Sequence, residues 1–180
     1  MFGSRRTPGI GAILLLLVGL ALLLSRNEGG ERDRSGREQA PAGDAEEVVA
    51  TVTRVVDGDT VEVSLDGAID DVRYIGVDTP ESVAPGQPVE CFGHRASEFN
   101  RTLVEGERVR LVFDEERRDR YGRLLAYVYV GPLFVNAELV RRGYARTLAI
   151  SPNTSRAAMF ERLARQAGSD GRGLWSACGA

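Results

Sequence analysis

The 180-residue sequence contains no lysine and a single histidine, His94, so all 23 of its basic side chains are arginines. The absence of lysine excludes Schiff-base chemistry, and one imidazole excludes any site that needs two. The 26 acidic residues give a net charge of −3, which excludes binding to nucleic acid through bulk positive charge. Carboxylates and guanidinium groups are therefore the side chains that remain as candidates for catalysis.

Cysteine is also scarce, since the sequence contains two, Cys91 and Cys178. Both lie in the part of the chain that is predicted below to be exported, and an oxidising compartment favours a disulfide between them. Such a bridge would tie the end of the chain to its middle. The alternatives are a catalytic thiol assisted by nearby His94 and half of a metal site. They are less favoured because no second thiol lies near Cys91 in the sequence.

A long apolar run occurs at the N-terminus, where Arg5 and Arg6 precede residues 9–25. This pattern predicts an export segment over residues 1–25. A bilayer-spanning helix needs at least about 17 residues, so a cleavable signal peptide and an uncleaved membrane anchor both fit. An anchor is favoured because a small-x-small cleavage site is poor here, and the leading arginines place the rest of the chain outside the cytoplasm. The protein is therefore predicted to be secreted or anchored.

Residues 26–47 contain no aliphatic side chain larger than alanine and no aromatic residue, while charged residues and glycine are frequent. This composition predicts a disordered linker. The folded domain is therefore expected over residues 48–180, which hold 17 arginines and 19 acidic residues.

The spacing of apolar residues in this domain alternates between periods typical of strands and of helices. Strands are predicted over residues 48–56, 61–65, 72–77, 109–113 and 124–130, with a hairpin turn at 57–59. Helices are predicted over residues 96–104, 135–142 and 155–167, the last capped by residues 152–154. Five short strands with helices between and after them indicate a small α+β domain built on a partly closed barrel.

Acidic residues gather at the ends of the predicted strands. Asp59 lies in the turn before the second strand, and Asp78 and Glu81 follow the third, where Pro80 is expected to fix a rigid turn. Arg73 lies in the third strand. Carboxylates that cluster without histidine or cysteine form an all-oxygen site, which suits Ca²⁺ or Mg²⁺ better than zinc. The alternative is ordinary turn chemistry with a surface ion pair.

Four sequence motifs resemble those of the staphylococcal nuclease-like, or thermonuclease, family of calcium-dependent phosphodiesterases. They occur in the family's order and at compatible intervals: VDGDTV at 56–61, RYIGVDTPE at 73–81, DRYGRLLAY at 119–127 and VNAELVRRG at 135–143. The resemblance covers the whole predicted domain. It implies a five-stranded OB-fold β-barrel with three α-helices.

The resemblance also implies a metal site. Asp59 and Asp78 match the family's carboxylate ligands of one Ca²⁺ ion, and Thr79 matches the residue that contributes its backbone carbonyl. A divalent ion at this place can stabilise the charge that develops on a phosphodiester during hydrolysis.

Roles in catalysis and substrate binding follow from the same resemblance. Glu81 matches the glutamate that positions or deprotonates the attacking water, and Arg73 and Arg123 match the arginines that hold the scissile phosphate. Tyr121 matches a tyrosine beside that phosphate. The adjacent Arg120 is a further candidate for contact with the substrate.

Two departures from the family concern residues that would bind the nucleic-acid substrate. Residues 82–90 contain no basic side chain, whereas the corresponding loop of the best-known member is rich in lysine, and Leu148 and Ile150 stand where that member has tyrosines. Both changes predict weaker affinity for nucleic acid. The arginines among residues 117–120 are candidates to replace these contacts, or they pair with the acidic residues of their own loop.

These observations predict an exported calcium-dependent nuclease that hydrolyses phosphodiester bonds of DNA and RNA by in-line attack of water. The alternative is a catalytically weak nucleic-acid-binding OB-fold module, which is less favoured because the predicted site residues are all present. The expected partners are DNA, RNA and, for an uncleaved anchor, the membrane. The protein itself is expected to be a monomer.

Overall fold

The structure, a computed structural model, describes residues 46–82, 86 and 88–179. Its strands are β1 Glu47–Val55, β2 Thr60–Leu65, β3 Ala68–Tyr74, β4 Gly76–Asp78, β5 Arg108–Val112, β6 Leu124–Val130, β7 Leu133–Phe134 and β8 Arg146–Leu148. Its helices are α1 Gly93–Val104, α2 Val135–Arg141, α3 Ala157–Ser169 and α4 Leu174–Ala177. Within these described ranges, no helix combines the length and hydrophobicity needed to cross a bilayer. The predicted export segment and residues 26–45 of the predicted linker lie outside the described residues.

Five strands close into a mixed β-barrel. Strand β1 pairs antiparallel with both β2 and β5, while β2 also pairs with β3 and β5 with β6. A parallel pairing of β3 with β6 completes the ring and places Val72 opposite Leu124. Closure removes the exposed strand edges that an open sheet would present. The predicted α+β fold with a five-stranded OB-fold barrel is thereby confirmed.

The interior of the barrel is filled by alternate side chains of its strands, as expected for a small barrel. Val61 and Val63 of β2 and Val72 of β3 are fully buried. The helices close the barrel with their own apolar faces, which bury Leu139 of α2 and Phe160 of α3. One contiguous core therefore supports both the barrel and the helices.

The third predicted strand, residues 72–77, is divided in the structure. Strand β3 ends at Tyr74, and the short β4 leaves the barrel to pair with β8 in a second sheet. The division falls at Gly76, whose φ of 79° is a conformation that glycine adopts without strain. The ring of Phe160 also lies only 2.4 Å from where a Cβ of residue 76 would be. This bend carries Asp78 out of the barrel.

The helices differ from the predictions mainly at their ends. Helix α1 begins at Gly93, three residues earlier than predicted, and the single-turn α4 was too short to produce a periodic signal. The predicted cap at residues 152–154 is wrong, since α3 begins after Arg156 without a side-chain cap. Instead the buried Asn153 side chain accepts a hydrogen bond from the Glu116 N–H (2.7 Å) and donates one to its carbonyl (2.8 Å).

The predicted disulfide between Cys91 and Cys178 is present, with the two Cα atoms 5.9 Å apart. It joins the residue that follows α4 to the segment that precedes α1. The bridge therefore fastens the C-terminal end of the described chain close to the loop that follows β4.

Candidate active site

The turn that carries Asp59 is held by hydrogen bonds from several elements. The N–H of Asp59 donates to the side chain of Asp57 (2.9 Å), and the N–H of Asp57 donates to the Thr60 carbonyl (3.2 Å). From α1, Asn100 donates to the Asp57 carbonyl (3.2 Å), and Asn100 itself accepts from the hydroxyl of the buried Tyr74 (3.1 Å). The turn is therefore fixed by β3 and α1 as well as by its own sequence.

The Asp59 carboxylate is completely buried and fully partnered. One oxygen accepts hydrogen bonds from the Thr79 N–H (2.7 Å) and hydroxyl (3.0 Å), and the other forms an ion pair with Arg73. Arg73 also donates to Asp78 Oδ1 at 2.9 Å. A buried charge is tolerated only when it is paired in this way. The structure therefore brings four of the predicted site residues into direct contact.

Glu81 lies in the turn that follows β4. Its Oε1 accepts from the Ser82 N–H (2.8 Å), and its own N–H donates to Glu90 Oε2 (3.1 Å). Burial raises the pKa of Asp57 above its ordinary value; Arg73 opposes the shift and the nearby Glu81 carboxylate adds to it. The Glu81 carboxylate is thus close enough to Asp57 to act on it electrostatically.

A cleft of about 550 Å³ adjoins this group of charges. Arg73, Arg123, Arg120 and Tyr121 all line it, and Tyr121 is largely exposed. Leu148 and Ile150 are exposed on the same cleft. Arg73 belongs to both the cleft and the carboxylate group, so it connects the two halves of the predicted site.

Asp119 orients Arg123 and was not predicted as a site residue. Its Oδ2 accepts from Arg123 Nε (2.8 Å) and pairs with Nη2 (2.7 Å), while Oδ1 accepts from the N–H groups of Tyr121 (2.9 Å) and Arg123 (3.0 Å). Burial acts to raise the pKa of Asp119, but the hydrogen bonds from Arg123 and from these backbone groups outweigh it and lower the pKa. The four-residue spacing within DRYGR was the available sequence signal.

The other arginines of this loop have different partners. Arg117 forms an ion pair with Glu46, and Arg118 forms two hydrogen bonds to Asp70 of β3 (3.0 and 2.5 Å). The acidic partners of Arg117 and Arg118 therefore lie outside the loop, and the predicted alternative of pairing with acidic residues of the same loop is wrong for these two arginines. Arg120 donates instead to the hydroxyl of Tyr121 (2.6 Å) and is the one of the three that lines the cleft.

The donor chemistry at Asp59, Asp78 and Thr79 fits a hard divalent cation, because two carboxylates and a backbone carbonyl supply oxygen alone. Among the described residues, no three acidic, histidine or cysteine side chains converge as a metal cluster. Ca²⁺ takes about six to eight oxygen ligands, so water would complete the shell. Arg73 bridges both carboxylates, and a cation held by both would replace the guanidinium there.

Comparison with known proteins agrees with this fold. The family described as staphylococcal nuclease homologue matches residues 71–177. A thermonuclease of Staphylococcus hyicus is 40% identical over 139 residues, covering 77% of this chain and 82% of the relative. A thermonuclease of Staphylococcus intermedius is 35% identical over 163 residues (91% and 95%), and the endonuclease YncB of Bacillus subtilis is 42% identical over 134 residues (73% and 64%).

The closed barrel flanked by helices is of the OB-fold type, and the relatives that the chain matches are thermonucleases and endonucleases, enzymes that hydrolyse phosphodiester bonds. The chain belongs to the staphylococcal nuclease family, and it is a nuclease.

Proposed function

We propose that this chain is an exported, calcium-dependent nuclease that hydrolyses both DNA and RNA by in-line attack of water on the phosphodiester. The observation that carries the proposal is the contact group of Asp59, Arg73, Asp78 and Thr79 beside the arginine-lined cleft. An anionic substrate needs cationic partners in the cleft, and its hydrolysis needs charge stabilisation at the phosphorus.

Asp59, Asp78 and the Thr79 carbonyl are the proposed ligands of one Ca²⁺ ion. When bound, the ion supplies Lewis-acid stabilisation of the negative charge that builds up on the phosphate oxygens. Because Arg73 pairs with both carboxylates, loading the site frees its guanidinium to turn toward the cleft that it already lines.

Arg73 and Arg123 hold the non-bridging oxygens of the scissile phosphate in this proposal. Each guanidinium offers a planar fork of donors that matches a phosphate, so lysine would not be equivalent at either position. Asp119 keeps Arg123 at the cleft by binding its Nε and Nη2, which leaves Nη1 for the substrate. Tyr121 and Arg120 contact the neighbouring part of the substrate.

Glu81 is the proposed general base. It accepts a proton from the attacking water while the water oxygen bonds to phosphorus and the opposite P–O bond breaks, and the leaving oxygen takes up a proton from solvent. The Ser82 N–H holds one carboxylate oxygen at 2.8 Å, which fixes the orientation of the group. The sequence contains no lysine, and its single imidazole, that of His94, is not among the residues that line the cleft.

Export is supported by the N-terminal sequence and by the Cys91–Cys178 disulfide, which suits an oxidising compartment. We expect cell fractionation to find the chain outside the cytoplasm, either released or in the membrane fraction. The intact mass of the recovered protein distinguishes a cleaved signal peptide from an uncleaved anchor. Recovery of the full-length chain from the cytoplasm alone would contradict export.

The catalytic proposal is tested by incubating the purified full chain with DNA and with RNA in Ca²⁺, in Mg²⁺ and in chelator. We expect both polymers to be degraded with Ca²⁺ and neither with chelator. Glu81→Gln and Arg123→Ala are each expected to lower kcat by at least about 100-fold, the usual scale for losing a general base or a phosphate ligand.

Glu161→Gln is a suitable control, because Glu161 is an exposed carboxylate of α3 paired only loosely with Arg165 (4.0 Å). It is expected to keep full activity. Undiminished hydrolysis by Glu81→Gln would contradict the assigned base, and undiminished hydrolysis in chelator would contradict the requirement for Ca²⁺.

A further inference from the structure

Strand β8 places an arginine beside one of the proposed calcium ligands. In the antiparallel pairing of β4 with β8, Arg146 is the register partner of Asp78. Opposed residues of antiparallel strands project from the same face of the sheet, with Cα atoms roughly 4.5–5.5 Å apart. Arg146 is exposed, so its side chain stands at the surface next to the carboxylate group.

The charge of Arg146 is not neutralised by that neighbour. Asp78 pairs with Arg73, and Arg146 makes no ion pair among the residues that the structure describes. Its guanidinium carbon instead lies 4.8 Å from the centre of the Trp175 ring. Stacking on an aromatic face leaves the N–H groups at the guanidinium edge available to an anion. Within the described part of the chain, Arg146 is thus a positioned cation whose guanidinium donates no side-chain hydrogen bond.

The stacking platform is itself held in place. Trp175 belongs to α4, and its ring lies against α3, where a Cβ at Gly168 would be 3.8 Å from Trp175 Cδ2. Its indole N–H is buried without a hydrogen-bond partner in the described part of the chain, so packing rather than polar contact fixes the ring. The disulfide at Cys178 fastens the end of α4. A fixed platform reduces the entropy that Arg146 loses on binding a ligand.

The same strand connects Arg146 with the cleft. Leu148 lines the cleft together with Arg73 and Arg123, and it lies two residues beyond Arg146 on β8. Residues two apart on a strand share a face and are separated by roughly 7 Å. A nucleic-acid strand that leaves the cleft along β8 therefore passes over Arg146.

We propose that Arg146, stacked on Trp175, is a binding site for a backbone phosphate of the substrate strand next to the one that is cleaved. The inference rests on the proposed nuclease function and adds a contact that acts on polymer binding and not on the chemical step. It makes the enzyme favour polynucleotides over substrates with a single phosphodiester.

The test compares the full chain with its Arg146→Gln variant in Ca²⁺, using a single-stranded oligonucleotide and a dinucleotide as substrates. For the oligonucleotide, we expect KM to rise between about 3-fold and about 10-fold at unchanged kcat, as for one exposed charge-assisted contact. The slope of log KM against log salt should fall by about 0.7, the value for one phosphate contact with a single strand. Cleavage of the dinucleotide should not change.

Arg108→Gln provides the matched control. Arg108 is an exposed arginine of β5 that is opposite Thr51 of β1, so the variant removes the same charge from a different sheet. It is expected to keep the KM and the salt slope of the unmodified chain. Arg146→Lys should retain the salt slope but bind less tightly, because lysine keeps the charge and loses the planar fork.

Fluorescence anisotropy with the same oligonucleotide measures binding without hydrolysis, and it separates the two proposals. If the unmodified chain binds the oligonucleotide but cleaves nothing with Ca²⁺, the proposal of calcium-dependent hydrolysis fails and the change in salt slope of binding still decides the role of Arg146. An unchanged KM, affinity and salt slope in Arg146→Gln would overturn the phosphate site while the nuclease function stands. Absence of any binding by the unmodified chain would also overturn it.

Discussion

At the scale of single residues, Arg73 is expected to determine how the proposed metal site responds to a cation. Its guanidinium bridges Asp59 and Asp78, which balances a buried negative charge and a half-exposed one. The same side chain lines the cleft in which the phosphate is proposed to bind. Because the one guanidinium cannot serve both places fully, Ca²⁺ on the proposed carboxylate ligands and a phosphate near Arg73 are expected to favour each other. Substrate affinity is therefore expected to rise with Ca²⁺.

Asp119 gives a prediction at the same scale. Asp119→Asn weakens the contacts that hold Arg123 Nε and Nη2, so Arg123 is expected to lose its orientation while remaining in the cleft. We expect kcat to fall between about 10-fold and about 100-fold, the loss typical of a misplaced catalytic group. Steady-state hydrolysis of DNA in Ca²⁺ measures the change, and the midpoint of thermal unfolding verifies that the variant is folded.

The control for this prediction is Asp170→Asn, which removes the charge of another carboxylate that is paired with an arginine, Arg172 (2.8 Å). It is expected to retain full activity. An Asp119→Asn enzyme with the kcat of the unmodified chain would show that Arg123 keeps its position without this partner.

At the scale of secondary-structure elements, Asn136 connects three parts of the fold. It lies in the first turn of α2, is completely buried, accepts from the Val128 N–H of β6 (2.9 Å) and donates to the Ile75 carbonyl between β3 and β4 (2.9 Å). The residue thereby joins a helix to the barrel at the point where the chain bends toward Asp78.

Replacing Asn136 by alanine should be strongly destabilising. The Val128 N–H and the Ile75 carbonyl would remain buried without this partner, so we expect the free energy of unfolding to fall by about 2–4 kcal/mol. Equilibrium urea unfolding measures it. Gln166→Ala removes an exposed side-chain amide of α3 whose one partner among the described residues is Asp170, so it should change stability by less than about 0.5 kcal/mol. Equal stability of the two variants would contradict a linking role for Asn136.

At the scale of the whole molecule, the disulfide covalently links two residues that are far apart in the sequence. Cys91 and Cys178 are 87 residues apart, so the bridge restricts most of the domain in the unfolded state. The chain-entropy model gives up to about 4–5 kcal/mol of stabilisation for a loop of this size. The Cys91→Ser, Cys178→Ser double variant should lose a comparable amount of its free energy of unfolding in urea.

Reductant provides the internal control for this prediction. Adding it to the unmodified chain should reproduce the stability of the double variant, and adding it to the double variant should have no effect. If the oxidised chain and the double variant unfold at the same urea concentration, the bridge does not stabilise the domain.

Much of the fold followed from local sequence. Alternation at Val61, Val63 and Leu65 predicted β2, the DGD turn predicted the hairpin, and the two scarce cysteines predicted their own bridge. The strand and the turn depend on a few neighbouring residues, and two cysteines can form one intramolecular pair. Periodicity, turn chemistry and the redox compartment are therefore sufficient to predict these features. The motifs likewise named the residues that are proposed for the site.

What the tertiary structure decided is which side chains meet. The division of the third strand at Gly76, the bridging position of Arg73, and the pairing of Arg118 with Asp70 all depend on how distant segments pack once β3 closes on β6. Charged side chains take whichever partners that closure brings within reach, and local spacing does not encode these partners. The sequence thus determined the chemistry available to the protein, and barrel closure determined its arrangement.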